Sequence, residues 1–229
     1  MSDQLDLFSQ PPVEEPAPPK PQKAKGPRVL YFDLETQKSA DEVGGWGNIK
    51  DMLMAVGVVW DSHDEKHHVY YGEAEKKEGK GYTDLIDHLK SADLVVGFNV
   101  IGFDYTVIQG AASQRHIDLL DIPTFDILVD FIKQKNHRIK LDNLAGCTLG
   151  TKKSADGLAS LKWWKEYLGG DAGKLDQIVE YCKQDVNVTR DLFLFGKDHG
   201  YVEYDGRTGQ RLRLDVDWTV ETILKSPHR

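Results

Sequence analysis

The segment Val29-Leu-Tyr-Phe-Asp-Leu-Glu35 is an apolar run broken only by two acids. Such a run predicts a central strand covered on both faces, because a strand with one wet face would alternate polar and apolar residues. An ionised carboxylate in that setting is costly unless something compensates it. Asp33 and Glu35 stand two apart, so on a strand their side chains share one face. The chain is thus committed to a covered sheet carrying an acidic pair at the end of a buried strand.

The pattern that follows fits this start. Met54–Trp60 and His67–Tyr71 read as further strands, Tyr82–Lys90 as a helix, and Leu94–Phe98 as a short buried strand feeding a helix over 103–112. Helices are predicted over 124–134, 141–147, 158–167 and, longest, 174–196. The segments 201–207 and 211–218, around Gly206 and Gly209, alternate like a β-hairpin. Three early strands followed by alternating helix and strand define an α/β domain with a mixed sheet, helices on its faces and a C-terminal hairpin over 201–218.

Two further segments carry acids beside apolar residues: Gly97-Phe-Asn-Val-Ile-Gly-Phe-Asp104 and Tyr181-Cys-Lys-Gln-Asp185. Tyr181 and Asp185 lie four apart and so share a helix face, in a predicted inward stripe of Ile178, Tyr181, Asp185, Val188 and Leu192. Each motif alone has an ordinary reading. Asp is a favoured helix cap, and Tyr-x-x-x-Asp can be a packed ring beside a solvated acid. All three in order, each on a suitable element, point to one site at the carboxyl end of the first strand, where open α/β sheets place their ligands. Several carboxylates without a matching Lys or Arg suit hard divalent cations, and two such cations are a common device for cutting phosphodiesters.

The three segments resemble the three exonuclease motifs of the DEDD superfamily of 3′–5′ exonucleases, which have a ribonuclease-H-like fold. Tyr181, four before Asp185, matches the tyrosine subgroup; the histidine subgroup would need His where Glu180 stands. Asn99, five before Asp104, is similar to the second motif in proofreading domains of family-B polymerases. The resemblance covers roughly residues 28–200 and implies roles. Asp33 would bridge two Mg²⁺ or Mn²⁺ ions, Glu35 and Asp185 would complete one site, and Asp104 would support the other. Tyr181 would orient or help deprotonate the attacking water. Thr36, the Leu34 backbone, Asn99 and Phe103 would hold the terminal nucleotide, and the 3′ polarity comes from the resemblance alone. An exoribonuclease on the same fold would have the same motifs. A non-catalytic binding adaptor is disfavoured by the complete residue set.

Other residues are open to two readings. Trp46, in Gly44-Gly-Trp-Gly47, could stack on a base or fold back on the domain. Lys133, Lys135, Arg138 and Lys140, with Lys152 and Lys153, could follow a phosphate backbone or form a solvated face. Trp163 and Trp164 are expected in the core.

The chain carries a net charge of −8, against the usual basic character of nucleic-acid binders. Discounting the four proposed ligands and the tail leaves about −3 on the domain, so affinity for nucleic acid should be modest and recruitment useful. Ahead of the domain, seven of the nine prolines fall between Pro11 and Pro27, in a linker of extended polyproline character. Before the linker stands Gln4-Leu5-Asp6-Leu7-Phe8, which resembles the pentapeptide that docks bacterial proteins on the replicative sliding clamp. That resemblance implies Leu7 and Phe8 filling an apolar pocket, Gln4 making polar contacts, and DNA as substrate. The leash of about nineteen residues would reach roughly 50–60 Å. Two cysteines, Cys147 and Cys182, are too few for a disulfide framework. With no signal-peptide pattern and no bilayer-length apolar stretch, a cytoplasmic protein without a membrane partner is expected.

Overall fold

In the computed structural model, residues 26–72, 79–111, 119–151 and 158–225 are described. The clamp-like peptide Gln4–Phe8, nearly all of the proline-rich segment, and Lys152 and Lys153 lie outside them. Five strands form one sheet in the order β3-β2-β1-β4-β5. They are β1 (Val29–Thr36), β2 (Met54–Asp61), β3 (Lys66–Tyr71), β4 (Leu94–Gly97) and β5 (Thr124–Asp126). The first three pair antiparallel, while β4 and β5 join in parallel, so β1 is central and the sheet is mixed.

Alternation along β1 divides the core in two. Leu30, Phe32 and Leu34 pack with Leu85, Ile86 and Leu89 of α1 (Tyr82–Lys90) and with Tyr105, Val107 and Ile108 of α2 (Asp104–Ala111). Val29 and Tyr31 pack on the opposite face, against Ile178, Cys182, Val186 and Phe193 of the long helix α6 (Gly173–His199). Each side chain is covered because both faces carry helices, which is why the run shows no polar alternation. Asp33 and Glu35 continue the α6-facing row beyond the point where apolar packing ends.

The same face carries α3 (Ile127–Lys135), α4 (Leu141–Leu149), α5 (Ala159–Leu168) and a separate two-stranded hairpin, β6 (Tyr201–Asp205) with β7 (Arg211–Asp215). The edge of β6 is closed by side chains of α4. Asn143 donates from Nδ2 to the Asp205 carbonyl at 3.0 Å and accepts the Asp205 N–H at 2.8 Å. Thr148 treats Glu203 in the same way, at 3.0 and 2.9 Å. Two side chains thereby stand in for a neighbouring strand and satisfy an otherwise open edge. Beyond the hairpin, Trp218 lies against Gly196 of α6, where a Cβ would come within 2.2 Å of the indole ring. Its Nε1 donates to Asp130 at 3.0 Å.

Three expectations are corrected. The segment 124–134 is not one helix: Thr124–Asp126 is the edge strand β5, and the chain turns at Asp126, whose carboxylate accepts the Leu128 and Val129 N–H groups and caps α3. Three residues are too few to show a period of two, so the strand merged with the helix behind it. The hairpin strands end at Asp205 and Asp215, and a short helix, α7 (Val220–Leu224), follows where none was expected. On α6 the buried stripe runs through Ile178, Cys182, Val186, Thr189 and Phe193, with Tyr181, Asp185 and Val188 half-buried on its flank. Among the described residues, no helix is long and apolar enough to cross a membrane.

Candidate active site

At the end of β1 the pairing with β2 shifts register between Glu35 and Thr36, leaving Ala55 unmatched. Such a bulge bends a strand and re-aims its side chains. Here it stands beside the acidic pair. Carboxylate oxygens of Asp33, Glu35 and Asp185 all lie within 4.8 Å of one another, an arrangement able to hold a metal ion. Asp104 is tied into the same end of the strand. Buried at the start of α2, it accepts the Leu34 N–H at 3.0 Å, across 70 residues of sequence.

Electrostatics show why this cluster is unusual. Burial pushes the Asp33 carboxyl well above the ordinary range, and the charges of Asp104, Asp185 and Glu35 push it further. Glu35 is pushed up to about 8, mainly by burial, with a Ser160 hydrogen bond opposing and the Asp185 charge adding to it. Asp104 is raised by burial first and then by Asp126. The strongest influences on these three acids are burial, other carboxylates and neutral donors. A group of oxygen ligands that repel one another, placed in a cleft, fits Mg²⁺ or Mn²⁺ in donor type.

Several supporting residues carried no sequence signal. Cys182 is fully buried, and its thiol donates to the Asp33 carbonyl at 3.4 Å and to the carboxylate Oδ2 at 3.6 Å. Ser160, also buried, lines the cleft with Glu35 and opposes the rise in its pKa. Asp126 accepts the N–H groups of Asn99 at 2.8 Å and Ile101 at 3.1 Å, fixing the loop before Asp104. Asn99 itself sits at φ 64°, in the left-handed region that Asn tolerates better than most residues. Only Asp126, an acid directly after Phe125, could have been suspected from sequence.

The carboxylates line a cleft of about 480 Å³, within the range of about 300–1,000 Å³ usual for ligand sites. Leu34, Thr36, Phe103, Tyr181 and Ser160 line it too. The Leu34 N–H is already committed to Asp104, and the Thr36 hydroxyl donates to the Lys38 carbonyl at 3.0 Å. Tyr181 meets Trp163 edge-on, ring centroids 5.9 Å apart. Trp164 is core, as expected, but Trp163 is only partly buried and buttresses the tyrosine. Trp46 does not fold into the domain: it is 71 % exposed at the cleft, with its ring 6.4 Å from that of Phe103. Asn99 lines the adjoining groove, where its side-chain oxygen accepts from Arg138 at 3.1 Å.

A second group, Asp61, His68 and His88, also has metal-compatible spacing. It already holds a cation. The Arg28 guanidinium bonds Asp61 through Nε and Nη2, and despite burial these bonds help hold the Asp61 carboxyl down at about 2.

Comparisons with known proteins agree with this architecture. A family model described as the RNase_H superfamily matches residues 30–194. The structure of the family B DNA polymerase from the hyperthermophilic archaeon Pyrobaculum calidifontis is similar, with a TM-score of 0.54 and 20 % identity over 77 % of this chain. The match spans only 26 % of the polymerase, and at this identity the likeness concerns the fold. No curated protein matches the chain.

Proposed function

The chain belongs to the RNase_H superfamily, and from that premise we propose that it is a metal-dependent 3′–5′ exonuclease acting on DNA. The observation that carries the reading is the convergence of Asp33, Glu35 and Asp185 within 4.8 Å, in a cleft that Tyr181 also lines. Asp33, Glu35 and Asp185, with Asp104, would hold two Mg²⁺ or Mn²⁺ ions. When bound, such ions lower the pKa of water and offset charge building on the phosphate and the leaving oxygen.

The protein's own groups supply position and proton handling. Cys182 orients the Asp33 carboxylate by donating to it, and Ser160 offers its hydroxyl beside Glu35. Asp104 clamps the strand between those acids through the Leu34 N–H. The Tyr181 hydroxyl, its ring steadied by Trp163, orients the attacking water and assists removal of its proton. Trp46 and Phe103 offer aromatic faces to the base of the terminal nucleotide.

Recruitment is assigned to Gln4–Phe8, whose resemblance to the clamp-docking pentapeptide supports DNA as the substrate and the bacterial sliding clamp as partner. End-labelled single-stranded DNA, duplex DNA and RNA, each with Mg²⁺, Mn²⁺ or EDTA, test the reading. Stepwise shortening of DNA from its 3′ end, abolished by EDTA, is expected. Full activity in EDTA, or digestion of RNA alone, would overturn it.

A further inference from the structure

Beside the carboxylate cleft lies a wider groove of about 770 Å³, built from the loop between α3 and α4 and from the turn of the β6–β7 hairpin. Phe98 lines both spaces. A smaller hollow of about 380 Å³ joins them a second time, sharing Trp46 and Phe103 with the cleft and Asn99 and Arg138 with the groove. The three spaces therefore adjoin, with these residues shared between them.

Its chemistry contrasts with the acidic chain. Arg138, Lys140 and Arg207 line the groove with exposed side chains. The lining carboxylate, Asp205, is bonded by Arg211 Nε at 2.9 Å. Between the cations lie apolar surfaces of Phe98, Ile139 and Leu141. Cations alternating with flat or apolar patches suit a single strand, whose phosphates track charge while its bases seek apolar faces. The hairpin that presents Arg207 is held in place by the paired hydrogen bonds of Asn143 and Thr148, and by Arg211 donating to the Cys147 carbonyl at 2.9 Å. The strands behind that turn are therefore anchored to α4.

We propose that this groove seats the stretch of single-stranded nucleic acid that remains attached to the nucleotide in the carboxylate cleft. The proposal rests on the nuclease reading for its orientation, while binding can be measured without hydrolysis. Fluorescence anisotropy of a labelled dodecanucleotide and a dinucleotide in EDTA compares the full chain with R138A/K140A/R207A, at several salt concentrations. Affinity of the wild-type chain should rise strongly with length, and the triple variant should lose at least about tenfold on the long strand. The slope of log affinity against log salt should become shallower by about 2, at roughly 0.7 per phosphate contact for single strands.

Arg207→Ala alone, in an exposed turn, gives a smaller loss of the same kind and keeps the test open if the triple variant misfolds. Unchanged affinity and salt slope in folded variants would overturn the proposal. So would displacement of the strand by polyglutamate of equal charge, which would assign the groove to acidic polypeptides. If the strand binds through these residues but is never hydrolysed, the groove stands and the nuclease reading falls.

Discussion

Asp33 and Glu35 illustrate how far a side chain's behaviour departs from its ordinary chemistry. Both titrate above the usual carboxylate range because burial and neighbouring acids disfavour their ionised forms. For an acid whose folded pKa is raised, the stabilising contribution is complete below its unfolded value and is lost as pH rises through the folded value. Without divalent cations, stability should therefore fall between pH values near 4.5 and about 8, the ordinary and folded values of Glu35. Millimolar Mn²⁺ should reverse that fall, raising the melting temperature most at the alkaline end, because ligand binding to the folded state adds stability by mass action. Melting curves from acid to mildly alkaline pH, with Mn²⁺ and with EDTA, check both signs. Asp33→Asn should raise the melting temperature in EDTA, remove most of the Mn²⁺ response and abolish hydrolysis. For Tyr181→Phe, single-turnover hydrolysis should slow by about 10²–10⁴-fold, the usual worth of positioned acid–base assistance, with metal-induced stabilisation intact. Wild-type rates would make Tyr181 a packing residue beside Trp163.

Secondary-structure elements are joined here by a few contacts whose loss can be weighed. Each of Asn143 and Thr148 satisfies both backbone groups of one β6 residue. Thr148→Ala should cost about 1–3 kcal/mol, since a donor and an acceptor lose their partner at a part-buried edge, whereas Asn143→Ala, whose bonds are exposed to water, should cost about 0.5–1.5 kcal/mol. Denaturant unfolding measures the cost, and exchange at the Glu203 and Asp205 amides shows whether the edge has opened. Gly196→Ala tests a different joint. A methyl there would meet the Trp218 ring at 2.2 Å, so the segment after β7 must shift, at a cost of about 1–3 kcal/mol for overpacking. Trp218 fluorescence should change with the variant. An unchanged spectrum and stability would mean that Trp218 is not held against α6.

For the molecule as a whole, charge distribution matters more than net charge. The chain is acidic at −8, yet beside the carboxylate-lined cleft Arg138, Lys140 and Arg207 gather in the adjoining groove. Tethering would supplement the affinity such a surface provides, by raising local concentration near DNA. A Met1–Gln10 peptide should bind purified sliding clamp, and its Leu7→Ala/Phe8→Ala form should not. The same double substitution in the full chain should remove any stimulation of digestion by clamp loaded on primer–template. Equal binding of the two peptides, or binding by neither at high micromolar concentration, would end the docking hypothesis and restore RNA as an equal candidate substrate.

Periodicity is a local property, and what depends on it could be read from sequence. The apolar run of β1 with its two acids, the four-residue spacing of Tyr181 and Asp185, and the alternation of the terminal hairpin led to a mixed α/β fold with the acids on its central strand. Contacts between distant segments depend on strand order and helix placement, which no local spacing encodes. Asp104 reaches the Leu34 N–H across 70 residues, and Cys182 reaches Asp33 across 149. The tertiary structure alone decided that Cys182, in place of Tyr181, faces the core. It also left Trp46 exposed, and let the terminal hairpin, braced by α4, complete a cationic groove beside the acids. The reason is geometric: three-residue edge strands and single donors have no period, and they acquire meaning only from what the folded chain sets next to them.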